Sequence, residues 1–227
     1  MADRYWVGGT GNWSGTTHWS ATSGGASGAS VPVPADNVYF DANRGTGTVT
    51  CNYGLCNDFD ATNSSSLVFH FTDILQVYGD IKLSSSAGMT FTQVSDYNCI
   101  FLCGTTNQTL DCDGVDILEL RGNIGSTRYI YIVSDIKCTK SSFDVGGGAH
   151  VAYIVPSEGV TISVQDYYRS DYTLFNHNTL EFTYSATSSS YTSHIFDNRG
   201  IDGLHTVDIH LVNEDAGTYS VDMYFED

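Results

Sequence analysis

The chain has 227 residues, enough for one sizeable core, and 41% of them are hydrophobic. Its formal net charge is −17 and the basic residues (Arg4, Arg44, Lys82, Arg121, Arg128, Lys137, Lys140, Arg169, Arg199) are scattered, which excludes the concentrated positive surface of a nucleic-acid binder. With 15 Tyr, 11 Phe and 23 Gly against 3 Pro, and no run of helix formers at helical spacing, the chain reads as nearly all β.

The first predicted element is a Gly-rich loop, Arg4–Ser20, RYWVGGTGNWSGTTHWS, which holds all three tryptophans: Trp6, Trp13 and Trp19. Gly8, Gly9 and Gly11 let a backbone wrap closely, and an indole buries a large area while its N–H seeks an acceptor. Two readings follow: a cap over an otherwise open end of a core, or an aromatic platform for sugar rings. The cap is the better fit, because platforms stand on rigid strands with polar partners. Ser30–Ala42, SVPVPADNVYFDA, reads as the lead-in to the body, with Pro32 and Pro34 blocking edge pairing, Asp36 beside them, and Val38–Phe40 as a strand. The boundary is therefore set between a cap over 1–36 and a body over 37–227.

Met1–Gly9 lacks the basic and apolar stretches of a secretory signal, and no apolar run reaches membrane-spanning length. This predicts a chain made in a cytoplasm with no membrane partner. The six cysteines (Cys51, Cys56, Cys99, Cys103, Cys112, Cys138) lack the usual zinc spacings, and with reduced thiols they read as small apolar fillers of strand interiors.

Short alternating or apolar segments continue at Thr48–Cys51, Leu67–Phe71, Ile74–Val77, Met89–Thr92, Cys99–Leu102, Ile117–Leu120, Tyr129–Val133, His150–Val155, Val160–Val164, Leu180–Tyr184, Thr206–Val212 and Tyr219–Phe225. Within them DILQVYGDI (Asp73–Ile81) repeats as DILELRGNI (Asp116–Ile124), 43 residues on, with Leu67 and Leu110 in the same register. A solenoid stacks like on like, whereas a β-sandwich, the alternative, has no need of such a repeat. Two coils of about 21 or 22 residues fit the offset. The expected fold is a single-stranded right-handed parallel β-helix. Its repeat core would be Ile74, Leu75, Gly79, Ile81, Ile117, Leu118, Gly122 and Ile124, with Ile74 over Ile117, Ile81 over Ile124, and Gly79 and Gly122 at corners.

The opening run YWVGGTGNWSGTTHWS…VPVPADNVYFDAN, followed by short strands of the YGDIKLSSS kind, resembles the opening segments of β-helical structural proteins of tailed bacteriophages. The likeness is carried by Trp6, Gly8, Gly9, Gly11, Asn12, Trp13, Trp19, Pro32, Asp36, Val38, Phe40 and Asp41. It implies a virion structural role at the particle surface, as a head decoration or tail-fibre element. It also implies a homotrimer, and capsid or tail proteins as partners.

Candidate chemistry is sparse. His194–His210 contains Asp202, His205, Asp208 and His210, and Asp208 and His210 share a strand face if Thr206–Val212 is a strand. Asp166 and Asp171 flank Tyr167, Tyr168 and Arg169. Either carboxylate set would serve glycan cleavage or a metal ion, against the plainer reading of a solvated acidic surface. Asp58, Asp60 and Asn63 loosely resemble a calcium loop without its full pattern. No phosphate, dinucleotide or nucleophile motif is present, so no cofactor and no resident metal is expected. A non-enzymatic virion protein is the leading expectation. A glycan-binding or polysaccharide-depolymerising spike acting on a host surface glycan, or a bacterial surface adhesin, are the alternatives.

Overall fold

The computed structural model describes residues 1–95, 97–122, 126–140, 142–145, 152–164, 167–170, 172–173, 178–184, 193–199, 207–213 and 220–226; from Tyr167 on, and at Ser142, it gives the backbone path alone. Alternating residues dictate its plan. Leu67–Phe71, LVFHF, buries Leu67, Phe69 and Phe71 and turns Val68 and His70 outward, the period of a strand with one face in a core. Segments of this kind are two to seven residues long, and where the connections are described, polar corners such as Asn52–Tyr53 carry the chain from one face to the next.

The first coil holds β1 (Asp3–Trp6) and β2 (Gly11–Asn12), closed by β3 (Trp19–Ser20). Next come β4 (Asn37–Tyr39), β5 (Gly47–Cys51) and β6 (Gly54–Cys56), then β7 (Phe59–Asp60), β8 (Leu67–Phe71) and β9 (Leu75–Val77). The fourth coil is β10 (Ile81–Lys82), β11 (Thr90–Gln93) and β12 (Ile100–Leu102); the fifth has only β13 (Gln108–Asp111) and β14 (Leu120–Gly122). The sixth has β15 (Arg128–Ile132), β16 (Ile136–Cys138) and β17 (Ser142–Asp144), and the seventh β18 (Ala152–Pro156), β19 (Thr161–Val164) and β20 (Tyr167–Ser170). The path continues through β21 (Tyr172–Thr173), β22 (Asn178–Tyr184), β23 (Ser193–Arg199), β24 (Val207–Asn213) and β25 (Ser220–Glu226).

Like pairs with like. A first face runs β3-β1-β4-β7-β10-β13-β15-β18-β21, and a third face β6-β9-β12-β14-β17-β20-β23-β25. The second face is split into β2-β5-β8-β11 and β16-β19-β22-β24. Every pairing among the described residues is parallel except β1 with β3, so the fold is an all-β parallel solenoid and not a sandwich of antiparallel sheets. A continuous core fills it, each large apolar side chain removed from water contributing roughly 1.5–3 kcal/mol. Its aromatic spine runs from Trp6 through Phe40, Phe59 and Phe69 to Phe91, with successive ring centroids 5.4–5.9 Å apart.

The 43-residue repeat does not set the stacking. On the first face Val38, Phe59, Ile81, Leu110, Ile132 and Pro156 form one column, in steps of 21, 22, 29, 22 and 24 residues. On the third face Leu75 stacks through Ile100 onto Leu120, not Leu118, and Val77 through Leu102 onto Gly122. Ile74 is half-buried and its carbonyl accepts from Gly54 N–H on the third face, while Ile117 donates to Lys137 O on the second, so the two do not stack. Leu67 and Leu110 likewise lie on different faces. The cause is unequal corner loops, which let similar segments drift in register. Gly79 does stand in a corner, where an added Cβ would meet Asn57 Nδ2 at 3.0 Å and Asp58; Gly122 ends β14 instead. Ile124 lies outside the described residues.

Candidate functional site

All three indoles face inward. Trp6, Trp13 and Trp19 are each 0% exposed, with Trp6 against Trp19 at 5.0 Å and 88°, and Trp13 against Trp19 at 4.8 Å and 72°. Trp19 Nε1 donates to Trp13 O at 2.7 Å and Trp6 Nε1 to Gly9 O at 2.8 Å, while His18 stacks on Trp6 at 4.9 Å. Gly54 keeps the third face open for this plug, since a Cβ there would meet Trp13 at 3.3 Å and Leu75 at 2.6 Å. Gly8 and Gly9 hold positive φ of 87° and 70°, and Gly11 leaves room for the His18 ring. Pro32 is buried beside the turn that brings Asp36 under the chain start. There Asp36 Oδ1 accepts Ala2 N–H at 3.0 Å and its other oxygen lies 3.6 Å from Arg4. The antiparallel strand β3 covers the free edge of β1, which protects that end from adventitious pairing. Residues 1–36 therefore include the first rungs, since β1 pairs with β4 and β2 with β5.

Much of the acidity is structural. Asp58 Oδ1 accepts Asp80 N–H at 2.9 Å, Asp80 Oδ1 accepts Thr109 N–H at 2.8 Å, and Asp135 Oδ1 accepts Thr161 N–H at 2.8 Å. Asn107 Oδ1 does the same for Tyr129 N–H at 3.0 Å. Each side chain satisfies a backbone donor on the following coil, where the corner leaves the ladder. Asp60 instead binds Thr62 N–H and Oγ within its own turn, at 3.0 and 2.7 Å. These bonds occupy the carboxylates singled out as a calcium loop, and no group of three metal-ligating side chains occurs among the described residues. Sequence reading missed these staples; Asp or Asn recurring at strand ends is the only signal for them.

The fifth coil breaks the second face. Where a strand is due between β13 and β14, Asp113, Gly114 and Leu118 adopt positive φ of 47°, 71° and 66°. Glu119 N–H bonds back to Ile117 O at 2.8 Å, a tight turn around Leu118 that costs a branched residue strain. The fully buried Glu119 that follows is paired to Arg121 at 2.5 Å, and Arg121 lies 4.4 Å over the Tyr97 ring. Sheet pairing resumes at the Asp116–Lys137 bridge. Between β11 and this turn lies a cleft of about 290 Å³ lined by Ser85, Met89, Thr90, Phe91, Val115 and Asp116. The turn-favouring pair Asp113–Gly114 is the sequence signal for the break.

The outer side of the first face changes character along the axis. Its first two rungs set Tyr5 on Tyr39 at 4.9 Å, and the rungs that follow carry Asp60, Lys82 and Asp111. Beyond them Tyr129, Tyr131 and Val133 are 40%, 37% and 43% exposed, and Tyr129 stacks on Tyr153 at 5.0 Å and on Tyr131 at 6.0 Å. Val155 follows Tyr131 in register. The result is an uncharged, tyrosine-rich strip on a strongly acidic chain.

Of the candidate glycan or metal residues, only Asp208 and His210 fall in a described strand, the one expected over Thr206–Val212. Asp166, Asp171, Asp202 and His205 lie outside the described residues. Asp208 and His210 sit in β24, two residues apart and paired in register with Thr179 and Glu181 of β22. The six cysteines are free thiols and five are buried. Burial pushes all six upward in pKa, Cys103 to about 11 and Cys112 to about 12, with Arg128 partly offsetting the shift at Cys103. These are packing thiols and not activated nucleophiles. No helix among the described residues is long and apolar enough to cross a membrane.

Compared with protein-family models, curated proteins and solved structures, the chain finds no significant match in any of the three. The solenoid architecture is common to many β-helix families and is not specific to phage structural proteins.

Proposed function

We propose that the chain is a non-enzymatic structural protein on the surface of a tailed-phage particle, a head decoration or tail-fibre element that attaches by burying surface. The observation that carries this reading is the uncharged Tyr129–Tyr131–Val133–Tyr153 strip. Stacked tyrosines present a large amphipathic area with little rotamer freedom left to lose, the property that favours aromatic residues at contact surfaces. The inward-facing indoles support it too, because they are spent on closing an end instead of on holding a ligand. The likeness of the opening segment to phage β-helical proteins supplies the setting. Assembly as a homotrimer belongs to the same reading.

The test uses particles depleted of the chain and then mixed with purified protein. The wild type re-associates and Tyr131→Asp does not, while both keep the same circular dichroism. Equal binding by the two would remove the strip as the contact. The second reading, a glycan-cleaving spike acting through Asp208, predicts polysaccharide depolymerisation that is lost in Asp208→Ala; a preparation with no such activity excludes it.

A further inference from the structure

The interruption of the second face leaves β11 at the end of its sheet, with β8 as its only strand partner among the described residues. Val94 N–H bonds to Phe71 O at 3.1 Å, so by alternation the backbone groups of Phe91 and Gln93 point away from β8, toward the fifth coil. No partner meets them among the described residues. The Gln93 side chain repeats the pattern: both its Nε2 and Oε1 are shielded from solvent and neither has a hydrogen-bond partner. A buried primary amide with both ends unsatisfied costs stability unless a matching donor and acceptor arrive. Beside this edge lies the cleft, with Met89, Phe91 and Val115 as its apolar lining. At its rim Asp113 and Asp116 accept neutral donors, from Ser84 and Ser85 and from Leu118 and Thr139. Neither rim carboxylate forms an ion pair with a described residue, Lys137 across the bridge included.

From these features we infer that the cleft at the fifth coil binds an extended segment of a partner protein, which adds to β11 as a strand, sets an apolar side chain on Phe91 and Val115, and brings lysine or arginine to Asp113 and Asp116. Main-chain bonds to Phe91 and Gln93 supply affinity, as in other strand additions to a free sheet edge, and the pocket and the rim charge supply selectivity. Charge complementarity favours a basic partner segment over a second copy of this acidic chain. The inference concerns a different surface from the tyrosine strip and holds wherever on a particle the protein sits.

The experiment is fluorescence anisotropy of the full chain with a labelled pentapeptide, Lys-Val-Gln-Val-Lys amide, beside the same peptide N-methylated at its three central residues. Hydrogen exchange is read at residues 90–93 in parallel. Expected are saturable binding, protection confined to that segment, weakening by salt, and a loss of about tenfold in Gln93→Met, the equivalent of one hydrogen bond. The N-methylated peptide shows no binding. Equal binding of the two peptides, or no protection of 90–93 at about 1 mM peptide, overturns the inference. Because the exchange readout uses the unaltered protein, the result does not depend on how the variant folds.

Discussion

Trp19 touches both other indoles, and its N–H ties the plug to its own backbone at Trp13. Truncating it leaves a cavity between Trp6 and Trp13 and frees a buried carbonyl. Trp19→Ala is therefore expected to lower stability by about 3–5 kcal/mol, read from denaturant unfolding. A loss under about 1 kcal/mol would mean that the indole is solvent-facing. The thiols provide a second check. Every cysteine is shifted upward by burial, so at pH 8 the folded protein should react with a disulfide reagent far more slowly than the unfolded one, Cys103 going first because it alone is half-buried. In denaturant all six should react. At this scale alternation was legible from sequence, because a strand's inward positions repeat every second residue. The acceptors Asp58, Asp80 and Asn107 were not, because their partners are N–H groups 22 to 29 residues away, on the following coil.

At the scale of elements, the segments Leu67–Phe71 and Tyr129–Val133 were read correctly to within a residue, whereas their stacking was not. Asp73–Ile81 and Asp116–Ile124 look alike, yet the second segment passes through the break at the fifth coil and enters its strand only at Leu120. Local likeness carries no information on how long an intervening corner is. The break also gives a pH prediction. Asp113 Oδ2 accepts Ser85 N–H and Oγ, both at 2.9 Å, joining the fifth coil to the turn before β11 and holding its carboxyl below the ordinary value. A depressed folded-state pKa stabilises the fold above the unfolded value, and that contribution is lost as pH falls through the folded one. Asp113→Asn should thus melt below the wild type at pH 7, with the gap closing as pH drops under about 4. A gap that persists at pH 2 would assign the difference to shape and not to charge.

For the whole molecule, one end is closed by a tryptophan plug and an antiparallel strand, one face carries a tyrosine-rich strip beyond its charged middle rungs, and another is cut by a cleft. The solenoid was legible in the long run of short strands with polar corners, although the 43-residue likeness that pointed to it joins segments that do not stack. The split of the second face was only partly legible: Asp113–Gly114 signals a turn, but nothing in the sequence marks the left-handed Leu118 that completes it. A −17 chain keeps free copies apart at low salt, which on the proposed reading leaves the uncharged strip or a basic partner as the route of attachment. The most direct measurement is quantitative mass spectrometry of gradient-purified particles from a culture that encodes the chain, with immunogold labelling to place it. The account predicts a fixed, integral number of copies per particle, on the outside. Its absence from particles, together with free protein that degrades a host polysaccharide, would contradict it.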